Sequence, residues 1–337
     1  MVKSIKEEIT PEELVKGGPD RLVVRVNSIT YQGEELNEYE LVDPSGQSLP
    51  PFSPGSHVDI YFRDGRVRQY SLCGDERSKA YRLVIQRELA GRGGSRDFFH
   101  KVHVGRLLVI SRPRNNFKLM PAERYILIAG GIGITPIISM ARSLVRSGKQ
   151  FDLHYTTRTK SRTALLTELN SLCPPGSLHV CHDGGDPKQG LDLKGILSKP
   201  GIGTHLYYCG PVGLMRAIST NTADWSKDQV HAEYFSAAHS SEQLAQTNQL
   251  GATFDVLIAS SNQRLEVPSD QSILQVLRKN GLDVPTSCEA GVCGTCRVHF
   301  LEGIPDHRDL ILQDEEKTRE LLVCCSRSLT PLLVLDL

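Results

Sequence analysis

The sequence has 337 residues, a length that suits two or three domains rather than one. With 39% hydrophobic and 23% charged residues it is neither collagen-like, disordered nor coiled-coil. Basic and acidic residues balance at 39 each, so nothing global points to nucleic acid or an anionic membrane. The balance is uneven, however: Leu250–Leu337 holds 13 acidic and 8 basic residues (−5), leaving +5 on residues 1–249.

Residues 1–20 are polar and read as a loosely ordered extension, without an apolar run of signal-peptide length. The longest apolar stretch, Tyr125–Ala141, is broken by Gly130, Gly131, Gly133 and Pro136 and is too short to span a bilayer. A cytoplasmic protein that engages neither membrane nor nucleic acid is the expectation. Residues 21–121 carry short alternating runs, Leu22–Val26, Val58–Phe62, Tyr81–Ile85 and Leu107–Ile110, separated by turn signals, with Asp64-Gly65 as a two-residue hairpin. This pattern predicts a small antiparallel barrel.

The texture changes over residues 122–235. Tyr125–Ala129 is a continuous apolar run, as in a parallel strand buried on both faces. A glycine-rich turn follows, then a helix predicted to start with Thr135 as N-cap and Pro136 at its first position. Phe151–Tyr155 and Leu206–Cys209 are further strands, the second running into Gly210-Pro211 and another helix. Residues 236–249 have almost nothing to bury and read as a linker. Residues 250–337 predict an α+β domain, with Phe254–Ala259 paired to Leu265–Val267 and a helix over Ser272–Asn280 ended by Gly281.

Three constellations carry chemistry. Cys288, Cys293 and Cys296, with a fourth cysteine at Cys324, 27 residues separating it from Cys296, or at the adjacent Cys325, have the plant-type [2Fe–2S] spacing C-x4-C-x2-C…C. Gly291 and Gly294 let that loop bend close to a cluster. A zinc site or buried thiols are the plainer readings, but a second short-spaced cysteine pair is missing. Gly131-Ile-Gly133-Ile-Thr135-Pro136, between strand and helix, suits a pyrophosphate. It departs from the G-x-G-x-x-G fingerprint, and no acidic residue ends the next strand. In the barrel, Arg68-Gln69-Tyr70-Ser71 and Gly91-Arg-Gly93-Gly94-Ser95, ahead of a short helix with Phe98 and Phe99, could hold one phosphate beside a flat ring. A solvated arginine in a glycine-rich surface loop is the bland alternative. A hydride carries two electrons and the cluster accepts one, so a flavin between them makes the parts cohere. His57, His154, His205 and His231 read as structural residues beside strands.

In this order, Arg68–Leu72, Gly91–Ser95, Gly130–Pro136, Cys209–Pro211 and the cysteine set resemble the phthalate dioxygenase reductase family, the FMN- and [2Fe–2S]-containing reductases of Rieske-type oxygenases. The resemblance spans about Arg21–Leu337. It implies an FMN-binding barrel, a ferredoxin-reductase-type NAD domain and a plant-type ferredoxin (β-grasp) domain. It implies electron flow from NADH to FMN, then singly through the cluster to a Rieske-type oxygenase. Carried onto matching positions, Arg68 and the Gly93, Gly94 and Ser95 amides hold the FMN phosphate. Gln69, Tyr70, Ser71, Ile85 and Gln86 lie along the flavin, and Phe235 covers it. Gly131, Gly133, Thr135, Pro136, Thr157, Arg158, Cys209, Gly210 and Pro211 bind NAD. Cys288, Cys293, Cys296 and Cys324 ligate the cluster, Cys324 being the position shared with relatives. Thr159 replaces an acidic residue of the phthalate enzyme, and Lys160 and Arg162 follow, so NADPH is possible as well as NADH. The alternatives are the electron-transfer subunit of a dihydroorotate-type dehydrogenase, whose fourth cysteine follows sooner, and an iron–sulfur redox sensor, which needs an output element not seen here.

Overall fold

The computed structural model describes residues 20–62, 66–88, 94–198, 201–235, 252–286, 289, 291–292, 294–309 and 311–337. The chain divides into two compact units, one ending at Glu233 and one beginning at Tyr234.

The first unit starts with six antiparallel strands: β1 (Arg21–Gly33), β2 (Leu36–Val42), β3 (His57–Tyr61), β4 (Val67–Ser71), β5 (Tyr81–Gln86) and β6 (Leu107–Ser111), in the spatial order β4-β3-β6-β1-β2-β5. The end strands turn back toward each other, where Cys73 N donates to Arg82 O at 3.0 Å. Alternation along β1 and β2 puts Val24, Val26, Tyr39 and Leu41 inside, where they meet Ile60, Leu83, Ile85 and Phe98 of helix α1 (Gly94–Lys101). β1 runs well beyond the predicted Leu22–Val26 and pairs with β2, a strand the sequence did not announce. Their turn is Glu34-Glu35, with Glu35 in the left-handed region at φ 63°. It lacks the Asn-Gly or Asp-Gly signal that marks such hairpins.

The chain then builds a five-stranded parallel sheet from β7 (Arg124–Gly130), β8 (Gln150–Thr157), β9 (Leu178–His182), β10 (Thr204–Cys209) and β11 (Val230–Glu233), ordered β11-β10-β7-β8-β9. Helices α2 (Ile134–Arg146), α3 (Leu166–Leu172), α4 (Leu193–Leu197) and α5 (Val212–Asn221) connect the strands. α2 buries Ile134, Ile137, Ile138, Met140, Ala141 and Leu144 against the sheet. The same core takes in Leu36, Cys73 and Val84 of the barrel, so barrel and sheet share one apolar interior.

The predicted start of α2 is corrected. A 3₁₀ turn over Gly131–Gly133 runs straight into the helix, so Gly133 is the N-cap and Thr135 is its second residue. The Thr135 hydroxyl donates back to Ile132 O at 3.0 Å instead of accepting from an N–H ahead. Pro136 is third, still inside the first turn, where a missing N–H breaks no helical bond.

The second unit contains β12 (Phe254–Ile258), β13 (Gln263–Val267), α6 (Ile273–Lys279), β14 (Arg297–Glu302), β15 (Pro305–Asp306), β16 (Glu320–Leu322), β17 (Arg327–Ser328) and β18 (Leu332–Leu335). Five strands form a mixed sheet ordered β13-β12-β18-β14-β16, with β12 and β18 parallel. α6 is fixed by a capping box: Ser272 Oγ accepts from Gln275 N at 3.2 Å, and Gln275 Oε1 accepts from Ser272 N at 2.9 Å. Ile273, Leu274, Val276 and Leu277 face the sheet. Among the described residues no helix is long and apolar enough to cross a membrane.

Candidate functional site

β4 lies at one end of the barrel sheet and carries Arg68, Gln69, Tyr70 and Ser71. The period of two puts Arg68 and Tyr70 on one face and Gln69 and Ser71 on the other. Tyr70 lies against Phe98, ring centres 5.7 Å apart, and burial raises its pKa. α1 opens at Gly94, and Ser95 Oγ accepts from Glu88 N at 3.0 Å. Gly93 lies outside the described residues. Ile85 is 1% exposed in the barrel core, so its side chain does not line a surface, while Gln86 at the strand end is half-buried. A guanidinium, a helix N-terminus and a tyrosine ring suit one phosphate and a planar ring, so the donor set fits FMN.

On the other face, the strand register sets Ser71 opposite His57. Ser71 Oγ donates to Glu233 Oε2 at 3.3 Å, and His57 Nδ1 lies 3.9 Å from Glu233 Oε1. Gln69 Nε2 is 3.2 Å from His57 Nε2. Burial pushes the Glu233 carboxyl up to about 8, against the opposing effect of Ser71. Burial, then the Arg114 charge, pushes His57 down to about 4, with Asp59 opposing. At neutral pH both groups are therefore uncharged. Cys209, beside Glu233 in the parallel register, is fully buried, and its thiol pKa is raised by burial and by Glu233. Sequence reading missed Glu233 and took His57 as structural. An acid at a strand end carries no signal of its own; only the fold sets it against a barrel serine 162 residues away.

The turns after β7 and β10 meet at the point where the strand order reverses, the place where open α/β sheets bind ligands. Their approach is too close for side chains. A Cβ on Gly133 would lie 2.2 Å from Cys209 O, and one on Gly210 would lie 3.0 Å from Gly130 Cα. Gly131 has φ +53 and open space on its Cβ side. Pro211 is the N-cap of α5. This cradle fits a dinucleotide. Thr157 at the end of β8 is turned inward, its hydroxyl 2.8 Å from Thr163 Oγ1 and 3.0 Å from His182 Nδ1, whereas Arg158 is exposed. Phe235, two residues past β11, is 44% exposed. The other histidines sit on strands as expected: His154 stacks on His179, and His205 and His231 are hydrogen-bonded at 3.0 Å.

In the second unit the fold brings Cys324 to Cys296, their thiols in hydrogen-bonding contact, with the Gly291 backbone also in reach of Cys324. Gly291 and Gly294 both have φ +72. A Cβ on Gly291 would lie 2.8 Å from Cys325 Sγ. Sulfurs gathered under a glycine-bent loop fit an iron–sulfur cluster. Cys288 and Cys293 lie outside the described residues. Cys324 and Cys325 do not continue the strand before them. β16 stops at Leu322, and both cysteines sit in a tight turn in which Cys325 N and Ser326 N bond to Leu322 O. The short turn leading to β17 leaves no room for strand alternation.

A barrel with a phosphate-and-ring surface, joined through a shared core to a parallel dinucleotide sheet, and followed by a mixed-sheet unit with paired cysteines, defines an NAD-linked flavin and iron–sulfur oxidoreductase. Residues 127–220 match the oxidoreductase NAD-binding domain, and residues 256–329 match the 2Fe-2S iron-sulfur cluster binding domain. The chain is 44% identical to the tert-butanol monooxygenase / tert-amyl alcohol desaturase reductase subunit of Aquincola tertiaricarbonis, over 94% of this chain and 96% of that one. It is 40% identical to phthalate dioxygenase reductase of Burkholderia cepacia, over 94% and 97%. A solved phthalate dioxygenase reductase superposes with TM-score 0.71 at 38% identity, covering 97% of this chain and 100% of that one. A type IV self-sufficient cytochrome P450 monooxygenase superposes with TM-score 0.83 at 34% identity over the whole chain, which spans 43% of that longer protein. The chain belongs to the phthalate dioxygenase reductase family, with FMN, a [2Fe–2S] cluster and NADH as its cofactors.

Proposed function

We propose that this chain is the reductase component of a Rieske-type oxygenase system of the cytoplasm, drawing electrons from NADH and delivering them singly to the oxygenase. Arg68, Gly93, Gly94 and Ser95 hold the FMN phosphate, and Gln69, Tyr70, Ser71, Gln86 and the Ile85 backbone border the ring. Gly131, Gly133, Thr135, Pro136, Cys209, Gly210 and Pro211 seat the nicotinamide dinucleotide, with Thr157 and Arg158 at its adenosine end. Cys288, Cys293, Cys296 and Cys324 ligate the cluster. The working parts are residues 21–121, 122–235 and 250–337, with 1–20 as an extension and 236–249 as a linker. Bound FMN supplies conversion of a two-electron hydride into single electrons, and the cluster supplies a one-electron carrier.

The observation that carries this reading is the Ser71–Glu233 contact beside Cys209, where the barrel strand meets the strand-order reversal of the dinucleotide sheet. There one hydrogen bond ties the barrel strand to the last strand of the dinucleotide sheet, with Cys209 buried beside it. The relatives, named as oxygenase reductases, favour this reading over a dihydroorotate-type subunit or a redox sensor.

The test is to assay FMN, iron and sulfide in the purified protein, then mix it with NADH and a Rieske oxygenase without oxygen. One FMN and one [2Fe–2S] per chain, with reduction of the Rieske centre, is the expected result. FAD or zinc in their place would overturn the cofactor assignment. The similarity to the cytochrome P450 chain favours a second reading, in which the terminal oxygenase holds haem. Reduction of a haem partner but not of the Rieske centre would select it.

A further inference from the structure

We infer that Glu34, a barrel residue, sets the choice between NADH and NADPH by occupying Arg162 at the end of β8. The inference rests on the proposed placing of the adenosine half at that strand end, and deepens it. In dinucleotide sheets the end of the strand next to the glycine loop recognises the ribose 2′ position, with an acid for a hydroxyl or an arginine for a phosphate. Here β8 is that strand, and it ends without an acid, followed by Arg158, Thr159, Lys160, Ser161 and Arg162. By itself this basic run favours a 2′-phosphate.

The β1–β2 hairpin changes the outcome. Glu34 Oε1 accepts from Arg162 Nη2 at 2.7 Å, Glu34 Oε2 accepts from Ser161 Oγ at 3.1 Å, and Glu34 N donates to Ser161 O at 2.7 Å. The contact is built into the backbone, since a Cβ on Gly33 would lie 2.5 Å from Ser161 O. Arg162 and Ser161 hold the Glu34 carboxyl below its usual range, so it is a full anion at working pH. Of the neighbouring acids, Glu35 is paired with Arg87, and Asp183, whose N–H donates to Thr157 O at the end of β8, has its Oδ1 on Gly185 N at 2.8 Å and its Oδ2 on the Thr156 hydroxyl at 3.4 Å. Glu34 thus neutralises one of three cations and supplies from the barrel the acid that β8 lacks. A ribose hydroxyl can share such a carboxylate, whereas a 2′-phosphate meets it as a like charge.

The test is calorimetric titration of the FMN-loaded protein with 2′,5′-ADP and with 5′-AMP, alongside ferricyanide reduction with NADPH and NADH. Glu34→Gln should tighten 2′,5′-ADP relative to 5′-AMP by roughly fivefold, the scale of an exposed charge pair. The NADPH/NADH ratio of kcat/KM should rise by the same factor, through KM. Arg162→Gln should do the opposite, and the double variant should return to the wild-type ratio. An unchanged ratio in Glu34→Gln, while Arg158→Ala or Lys160→Ala weakens nucleotide binding, overturns this inference and spares the placing. No response of either nucleotide to Arg158→Ala and Lys160→Ala overturns both.

Discussion

Replacing Glu233 by glutamine keeps the side-chain shape and removes a titration, which changes how the first unit's stability depends on pH. The folded carboxyl keeps its proton up to about pH 8, whereas in the unfolded chain it is released near 4.5. Between these values the folded state binds more protons, so stability falls as pH rises. His57 acts oppositely: held down to about 4 from 6.5, it makes stability rise with pH, and that rise levels off above 6.5, where the unfolded imidazole loses its last charge. His154 and His231, also at about 4, follow His57. From 6.5 to 8 Glu233 by itself removes about 2 kcal/mol, about 1.5 pH units at ~1.4 kcal/mol each, while the smaller remaining gain from the histidines is the same with or without Glu233. Trp225 is the only tryptophan and is buried in the first unit, so its fluorescence follows that unit alone. Urea titrations of flavin-free protein at pH 6.5 and 8.5 should show the wild type losing about 2 kcal/mol more than Glu233→Gln over that interval, because the histidine contributions are common to both. Equal losses in the two proteins would refute the reasoning.

Three further outcomes are expected. Cys324→Ser should keep FMN and lose the visible iron–sulfur absorbance, while Cys325→Val keeps both; the reverse pattern would move the fourth ligand to Cys325. Gly133→Ala, whose Cβ would lie 2.2 Å from Cys209 O, should force the two turns apart, costing roughly 1–3 kcal/mol and raising the KM for NADH while FMN stays bound; an unchanged melting temperature and KM would show that the cradle has slack. A chain ending at Gln249 should retain NADH-dependent ferricyanide reduction and lose delivery to the oxygenase, measured by reduction of the oxygenase's metal centre; full delivery would make the cluster dispensable.

The sequence by itself determined the architecture and the cofactor classes, because those rest on local patterns. Alternation in Leu22–Val26 and Tyr81–Ile85, the unbroken apolar run Tyr125–Ala129 and the capping box at Ser272 are properties of neighbours along the chain. So is the spacing of Cys288, Cys293 and Cys296, which lets one loop supply three thiolates. Tertiary structure decided whatever depends on residues far apart. It set Glu233 against Ser71, with the burial that raises its carboxyl, and carried Glu34 from a barrel hairpin to Arg162. It turned Ile85 into the core, moved the start of α2 back to Ile134, and placed Cys324 and Cys325 in a turn. Periodicity reports which face a residue takes, but burial and charge pairing depend on what the other elements bring to that face, and no single segment of the chain contains that information.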